Sequence, residues 1–321
     1  MGLAILLLAL GSSVYIAWSI GANDETMATV AGSGFLTPGR AVALGAMVNF
    51  LGAVFMGGRV EKTLGEGILA FKIGLTEAFI IILAVATWLT LASSKGWPVS
   101  TTHSAVGAAI GIGFALSGIE GIRWEGIEKV AVGWILSPAL GMITSFLLYL
   151  AFSRFVISRA RGLKDRDRME FSSALILTLG ALITAFSRGA NDVGNATAFL
   201  SVVLGRPLII RIICGGGMAL GLYTLGRKVI ESVGLQIIRM SPGMALIAQI
   251  STAIIMFVGT WFGLPISGTH VLVASIAGMA MAKRARLNLK ELWGIVFSWI
   301  ATFPTAALIS FAAGKVLIWL T

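Results

Sequence analysis

Ten apolar stretches, near residues 3 to 20, 39 to 57, 66 to 92, 104 to 119, 127 to 153, 171 to 190, 207 to 225, 243 to 262, 266 to 282 and 292 to 320, alternate with short polar segments along the 321-residue chain. A helix needs about 20 apolar residues to cross a hydrocarbon core roughly 30 Å thick. The pattern therefore predicts an all-α polytopic membrane protein of about ten transmembrane helices. The first stretch has no basic segment ahead of it and leads directly into polar residues, so it reads as a helix of the mature protein rather than a leader. Composition agrees: 57% hydrophobic residues, 12% charged residues and a mean hydropathy of +0.94 are far from a soluble chain. The net charge of +10 then reads as loop lysines and arginines on the inner side of a bilayer, not as a nucleic-acid surface. Its densest run is SRFVISRARGLKDRDRMEF, where Arg154, Arg159, Arg161, Lys164, Arg166 and Arg168 outnumber Asp165, Asp167 and Glu170. This run predicts a cytoplasmic linker over 154–170. A single cysteine, Cys214, allows no internal disulfide.

Two short strings interrupt the apolar pattern, and each occurs twice. Gly-Ala-Asn-Asp stands at 21–24 and 189–192, and Pro-x-Ser-x-Thr-His at 98–103 and 265–270. Pro98 lies 77 residues after Gly21, and Pro265 lies 76 after Gly189. A weaker correspondence, GGRVEKTLG at 57–65 with GRKVIESVG at 226–234, falls between them in each half. The same order at the same spacing predicts an internal duplication, 1–153 and 171–321. The loop EGIRWEGIEK holds three acidic and two basic residues, whereas its counterpart KRARLNLKE holds four basic and one acidic. Matched loops on opposite sides predict inverted-topology repeats with both termini outside. Each half then crosses an odd number of times, as five spans plus a re-entrant or broken piece.

The motifs carry the candidate chemistry. A carboxylate at membrane depth costs several kcal/mol unless paired or solvated, so Asp24 and Asp192 mark a functional site. Each follows a glycine at the end of an apolar run, where a helix can break and free its backbone carbonyls. With Asn23, Asn191 and Asn195 they form an all-oxygen set suited to a hard cation, Asn191 and Asn195 sharing one helix face. The bland alternative is an Asp-Asn network capping helix ends. In Pro-x-Ser-x-Thr-His, proline at a first helical turn followed by Ser100, Thr101 and Thr102, or by Ser267 and Thr269, offers hydroxyls and free N–H groups to an anion. Such hydroxyls can instead bond a carbonyl one turn back. The chain's two histidines, His103 and His270, hold the same place in both copies and are candidates for substrate contact or site closure. A cation set beside an anion set describes an ion-coupled anion symporter.

Here the chain resembles the inorganic phosphate transporter (PiT) family, over nearly its whole length and on both paired motifs. The resemblance implies cation-coupled phosphate uptake by alternating access around a midplane site in the plasma membrane. Phosphate would meet Ser100, Thr101, Thr102, Ser267 and Thr269, and sodium would sit at Asp24 and Asp192. It implies no enzyme activity and no cofactor beyond the coupling ion. The expected partners are phosphate, sodium or protons, and the lipid bilayer; a homodimer is left open. The second copy, GANDVGNA, keeps the family pattern, whereas GANDETMA has Glu25 for an apolar residue and Met27 for a second asparagine. The family's glutamate in the weaker correspondence is matched by Glu231 but by Lys62 in the first half, and a further one by Gln249 or, after a one-residue shift, Glu77. A sulfate or other oxyanion permease differs only in cargo, and a proton-coupled phosphate symporter only in its coupling ion. An intramembrane Ser-His-Asp hydrolase would need one asymmetric constellation, which duplication does not supply. A passive channel has less need of matched buried carboxylates.

Overall fold

Lipid offers no hydrogen-bond partners, so each apolar run must satisfy its own backbone and becomes helical. A computed structural model describes residues 3–160, 162–204 and 207–320; Arg161 lies outside them. The first half comprises α1 (Leu3–Ala22), the short α2 (Ala28–Gly32), α3 (Pro38–Met56), α4 (Gly58–Gly67), α5 (Leu75–Ser94), α6 (Thr101–Ser117) and α7 (Trp124–Phe155). The second comprises α8 (Leu163–Leu204), α9 (Pro207–Thr224), α10 (Gly226–Glu231, running on as a π turn), α11 (Pro242–Trp261), α12 (Gly268–Lys283) and α13 (Leu289–Leu320). The described residues contain no strand, only an isolated bridge between Leu69 and Ile122.

Nine of the ten expected apolar runs fall largely on one helix each; the run 66–92 begins at the end of α4, crosses the non-helical residues 68–74 and continues in α5. Seven helical stretches among the described residues are long and apolar enough to cross a membrane, or eight with the pair Leu208–Thr224 and Gly226–Gln236, bent by 62°. That is fewer than the ten expected; α12, with 16 residues, is shorter than a full crossing. Within the charged linker, α8 begins at Leu163 and takes 163–170 into the helix.

The halves interlock rather than stand side by side. α1 packs on α9 and α3 on α8; α6 packs on α13 and α7 on α12. Glycines make these crossings close. A Cβ on Gly21 would strike the backbone of Met218, and one on Gly189 that of Asn49. Gly52 and Gly221 meet Phe186 and Trp18 in the same way, and Gly111 and Gly278 meet Ala307 and Met142. Each contact thus occurs twice, once in each direction between the halves. Helix association in lipid relies on such close approach of small residues. The glycine of Gly-Ala-Asn-Asp is therefore a crossing point of helices, not the cause of a break.

Candidate functional site

The two Gly-Ala-Asn-Asp copies meet near the centre of the interlocked helices, in different backbones. In the first, α1 ends at Ala22 and the chain is irregular until α2. In the second, α8 runs unbroken from Leu163 to Leu204, which corrects the expectation of a break there. The local chemistry explains the difference. Asp24 Oδ1 accepts from the backbone N–H of Thr26 at 2.8 Å and from its hydroxyl, a side-chain turn that competes with the helix. At the matched position the second copy has Gly194, with no hydroxyl, and Asp192 instead reaches back one helical turn to Arg188.

Arg188 is the centre of the site. Its Nη1 bonds Glu25 Oε1 and lies 3.9 Å from Asp24 Oδ1. Its Nε and Nη2 each reach Asp192 Oδ2 at 3.3 Å. All four charged groups are 2% exposed or less, so each carboxylate depends on this guanidinium and on local donors. Asp24 Oδ2 accepts from Asn49 Nδ2 at 2.7 Å, and Asp192 Oδ1 from the Thr101 hydroxyl at 2.9 Å. Thr101 thereby joins the serine-threonine motif to the second aspartate.

The asparagines divide into two kinds. Asn23 uses both ends of its amide on the segment before α6: Nδ2 donates to Ser93 Oγ (2.8 Å) and the Trp97 carbonyl (2.9 Å), and Oδ1 accepts from Val99 N–H (2.9 Å). Asn23 is thus a clamp. Asn191 Nδ2 makes the matching contact with the Leu264 carbonyl at 2.9 Å, yet its Oδ1 is buried without a donor. Asn195 and Asn49 likewise bury a donorless Oδ1. In all three the nitrogen faces an acceptor (Leu264 O, Asn191 O and Asp24 Oδ2), which fixes the oxygen as the free end. Met27, in the place of Asn195, lies in an apolar cluster.

Ser100 and Ser267 are the N-caps of α6 and α12, each accepting from the N–H of the following histidine (3.2 and 3.3 Å). Pro98 and Pro265 stand two residues ahead of these caps, not in the first turn as expected, because the serines take the cap position. Thr102 donates to the carbonyl of Ile266 and Thr269 to that of Val99, both at 3.3 Å, so the two motifs bond each other across the halves. His103 and His270 approach with ring centroids 4.7 Å apart, His103 stacked on Trp134 at 3.7 Å and His270 tilted against Trp299 at 4.0 Å. This four-ring column closes the contact between the motifs.

Arg188 and Asn49 were not among the candidates read from the sequence. Arg188 carried a signal: an arginine within an apolar run, one turn before Asp192. Asn49 carried none, since its matched residue is Met218. The remaining polar residues lie outside the cluster. Gln249 links Thr29 and Thr184 (2.7 Å to the latter), Glu77 caps α5, and Glu231 pairs with Arg227 at 2.7 Å. In the weaker correspondence the buried carboxylate is Glu61, beside Lys62, held by Thr197 and Arg211.

Comparison with known proteins identifies the family. The Rhizobium meliloti protein named Probable low-affinity inorganic phosphate transporter is 30% identical over 300 residues, covering 89% of this chain and 88% of the relative. Inorganic phosphate transporter 2-1, chloroplastic, of Arabidopsis thaliana is 28% identical over 403 residues, covering 91% of this chain and 69% of the relative. A solved structure described as the sodium-dependent phosphate transporter superposes with a TM-score of 0.93 at 27% identity, over 99% of this chain and 100% of that one. The sequence profile of the phosphate transporter family matches residues 20–310. With the helical fold and the profile in agreement over nearly the whole length, the chain belongs to the phosphate transporter family, whose members are membrane transporters and not enzymes.

Proposed function

We propose that the protein takes up inorganic phosphate by symport with sodium across the cell membrane, by alternating access around the buried cluster. The observation that carries this reading is the set of donorless amide oxygens on Asn49, Asn191 and Asn195 beside Asp24 and Asp192. Buried oxygens without donors are costly in a protein interior and are ligands for a hard cation. Asp24 with Asn49, and Asp192 with Asn191 and Asn195, are the cation ligands; Asn23 positions the first. Ser100, Thr101, Thr102, Ser267 and Thr269, at the starts of α6 and α12, receive the phosphate, with His103 and His270 closing the site. The structural neighbour described as sodium-dependent supports sodium as the coupling ion. Uptake of radiolabelled phosphate into proteoliposomes tests this. Replacing external sodium by choline at constant pH should reduce uptake to that of empty liposomes. Undiminished uptake in choline would assign the coupling to protons, and sulfate competing as well as phosphate would make the cargo a general oxyanion.

Alternating access requires two related halves, and we assign 1–153 and 171–321 as inverted repeats about a pseudo-two-fold axis in the membrane plane, with 154–170 cytoplasmic. About ten helices then cross, the short α2 is re-entrant and both termini lie outside. The reciprocal helix contacts and the exchanged threonine bonds support a two-fold relation; opposite loop charge supports the inversion. Glu125 and Lys290 are matched and exposed, and native Cys214 is buried. Glu125→Cys is expected to react with an impermeant thiol reagent from outside the cell, and Lys290→Cys only from inside. Reaction of both from one side would rule out inversion.

A further inference from the structure

The matched motifs bring three chemically unlike pairs together at one spot. Arg188 stands opposite Ile20, Glu25 opposite Val193, and Gly268 opposite Thr101. Arg188 bonds Glu25, and its guanidinium lies on Gly268, where a Cβ would come within 2.6 Å of Nε and 2.8 Å of Cζ. The hydroxyl that the first half presents at this point is replaced in the second by space for an arginine. Glu25 and Arg188 cancel, so the cluster keeps the formal charge of the two aspartates alone. The pair therefore does not stand in for a coupling cation.

We propose that Arg188 is a phosphate ligand held in reserve by carboxylates, an assignment that rests on the phosphate symport reading above. A phosphate entering beside Asp24, Glu25 and Asp192 is repelled, and among the described residues Arg188 is the one cationic side chain within their reach. Its planar fork of N–H donors fits carboxylate and phosphate alike. It already lies against the first residue of α12, between Ser267 and Thr269, with no Cβ to obstruct it. Its hold on Asp192, at 3.3 Å, is longer than the 2.7 to 2.9 Å usual for charge-assisted bonds. A cation arriving at Asp192 contests that oxygen and frees the guanidinium for the anion. Phosphate, by drawing Arg188 away, opens Asp192 to the cation. One side chain thus links the two ligands, and the linkage is reciprocal.

The test is binding of radiolabelled sodium and phosphate to purified wild type, to the charge-balanced double variant Glu25→Gln with Arg188→Gln, and to Arg188→Lys. In the double variant, phosphate affinity at saturating sodium is expected to fall by roughly 10- to 100-fold, the span of a lost charge-assisted bond, with sodium affinity retained and no longer raised by phosphate. Arg188→Lys keeps the charge without the fork and should bind phosphate weakly while holding sodium normally; it decides the matter if the double variant does not fold. Unchanged phosphate affinity in either folded variant would reduce Arg188 to a structural pin. Loss of sodium binding together with phosphate would place the pair in the cation site, and also overturns the proposal. Wild type without sodium-dependent phosphate binding removes the symport reading and this inference together, whereas the two preceding outcomes leave symport standing.

Discussion

Asp192→Asn is expected to weaken sodium binding by roughly 10- to 100-fold, since it keeps the shape of the side chain and removes the charge of a ligand worth about 1.5 to 3 kcal/mol. The amide still accepts from Thr101, and Arg188 remains paired with Glu25, so the cluster should survive. Phosphate affinity measured at saturating sodium should not fall with it, because phosphate loses no ligand of its own and the loosened hold on Arg188 favours the anion. Thr269→Val should show the opposite order. Its hydroxyl bonds the Val99 carbonyl at 3.3 Å, a weak contact that an arriving anion replaces. Losing it should cost about 1 kcal/mol of phosphate binding, roughly fivefold, with sodium nearly unaffected. Sodium and phosphate isotherms on both variants separate the roles. An Asp192→Asn protein that binds sodium normally and phosphate not at all would invert the assignment.

Arg188→Met should destabilise the folded protein by about 3 to 5 kcal/mol, the usual penalty for removing one partner of a buried ion pair. Three carboxylates would remain in the interior with neutral donors from Thr26, Thr101, Asn49 and Thr269. The loss would be read as a fall in the detergent-solubilised melting temperature and in yield. Two rescues follow from the same electrostatics. Glu25→Gln in the Arg188→Met background removes the carboxylate nearest the missing charge and should recover much of the loss. Sodium at about 100 times its dissociation constant should return about 2.7 kcal/mol by binding only the folded state. An Arg188→Met protein that melts with wild type, with or without sodium, would mean that the carboxylates do not depend on Arg188.

Much of this protein was legible in its sequence, because its determinants are local. The hydropathy of each run decides whether a backbone in lipid must be helical, and nine of the ten runs became largely one helix each, the run 66–92 being parted by residues 68–74. The repeated motifs, with nearly equal spacing, marked Asp24, Asp192 and the starts of α6 and α12 as one system. What the motifs do to the chain was not legible. Gly21 and Gly189 serve helices from the other half, and that contact is invisible along the chain. The backbone parts at Asp24 and continues through Asp192 because Thr26 can turn the aspartate back and Gly194 cannot. Asn49 looked like any amide in a membrane helix until packing set it against Asp24. Above all, Glu25 and Arg188 are 163 residues apart and each breaks the local pattern alone; only the interlocking of the halves makes them a neutral pair. Hydrophobicity acts residue by residue and can be read in order. Pairing of buried charge depends on distance in space, and only the tertiary structure supplies that.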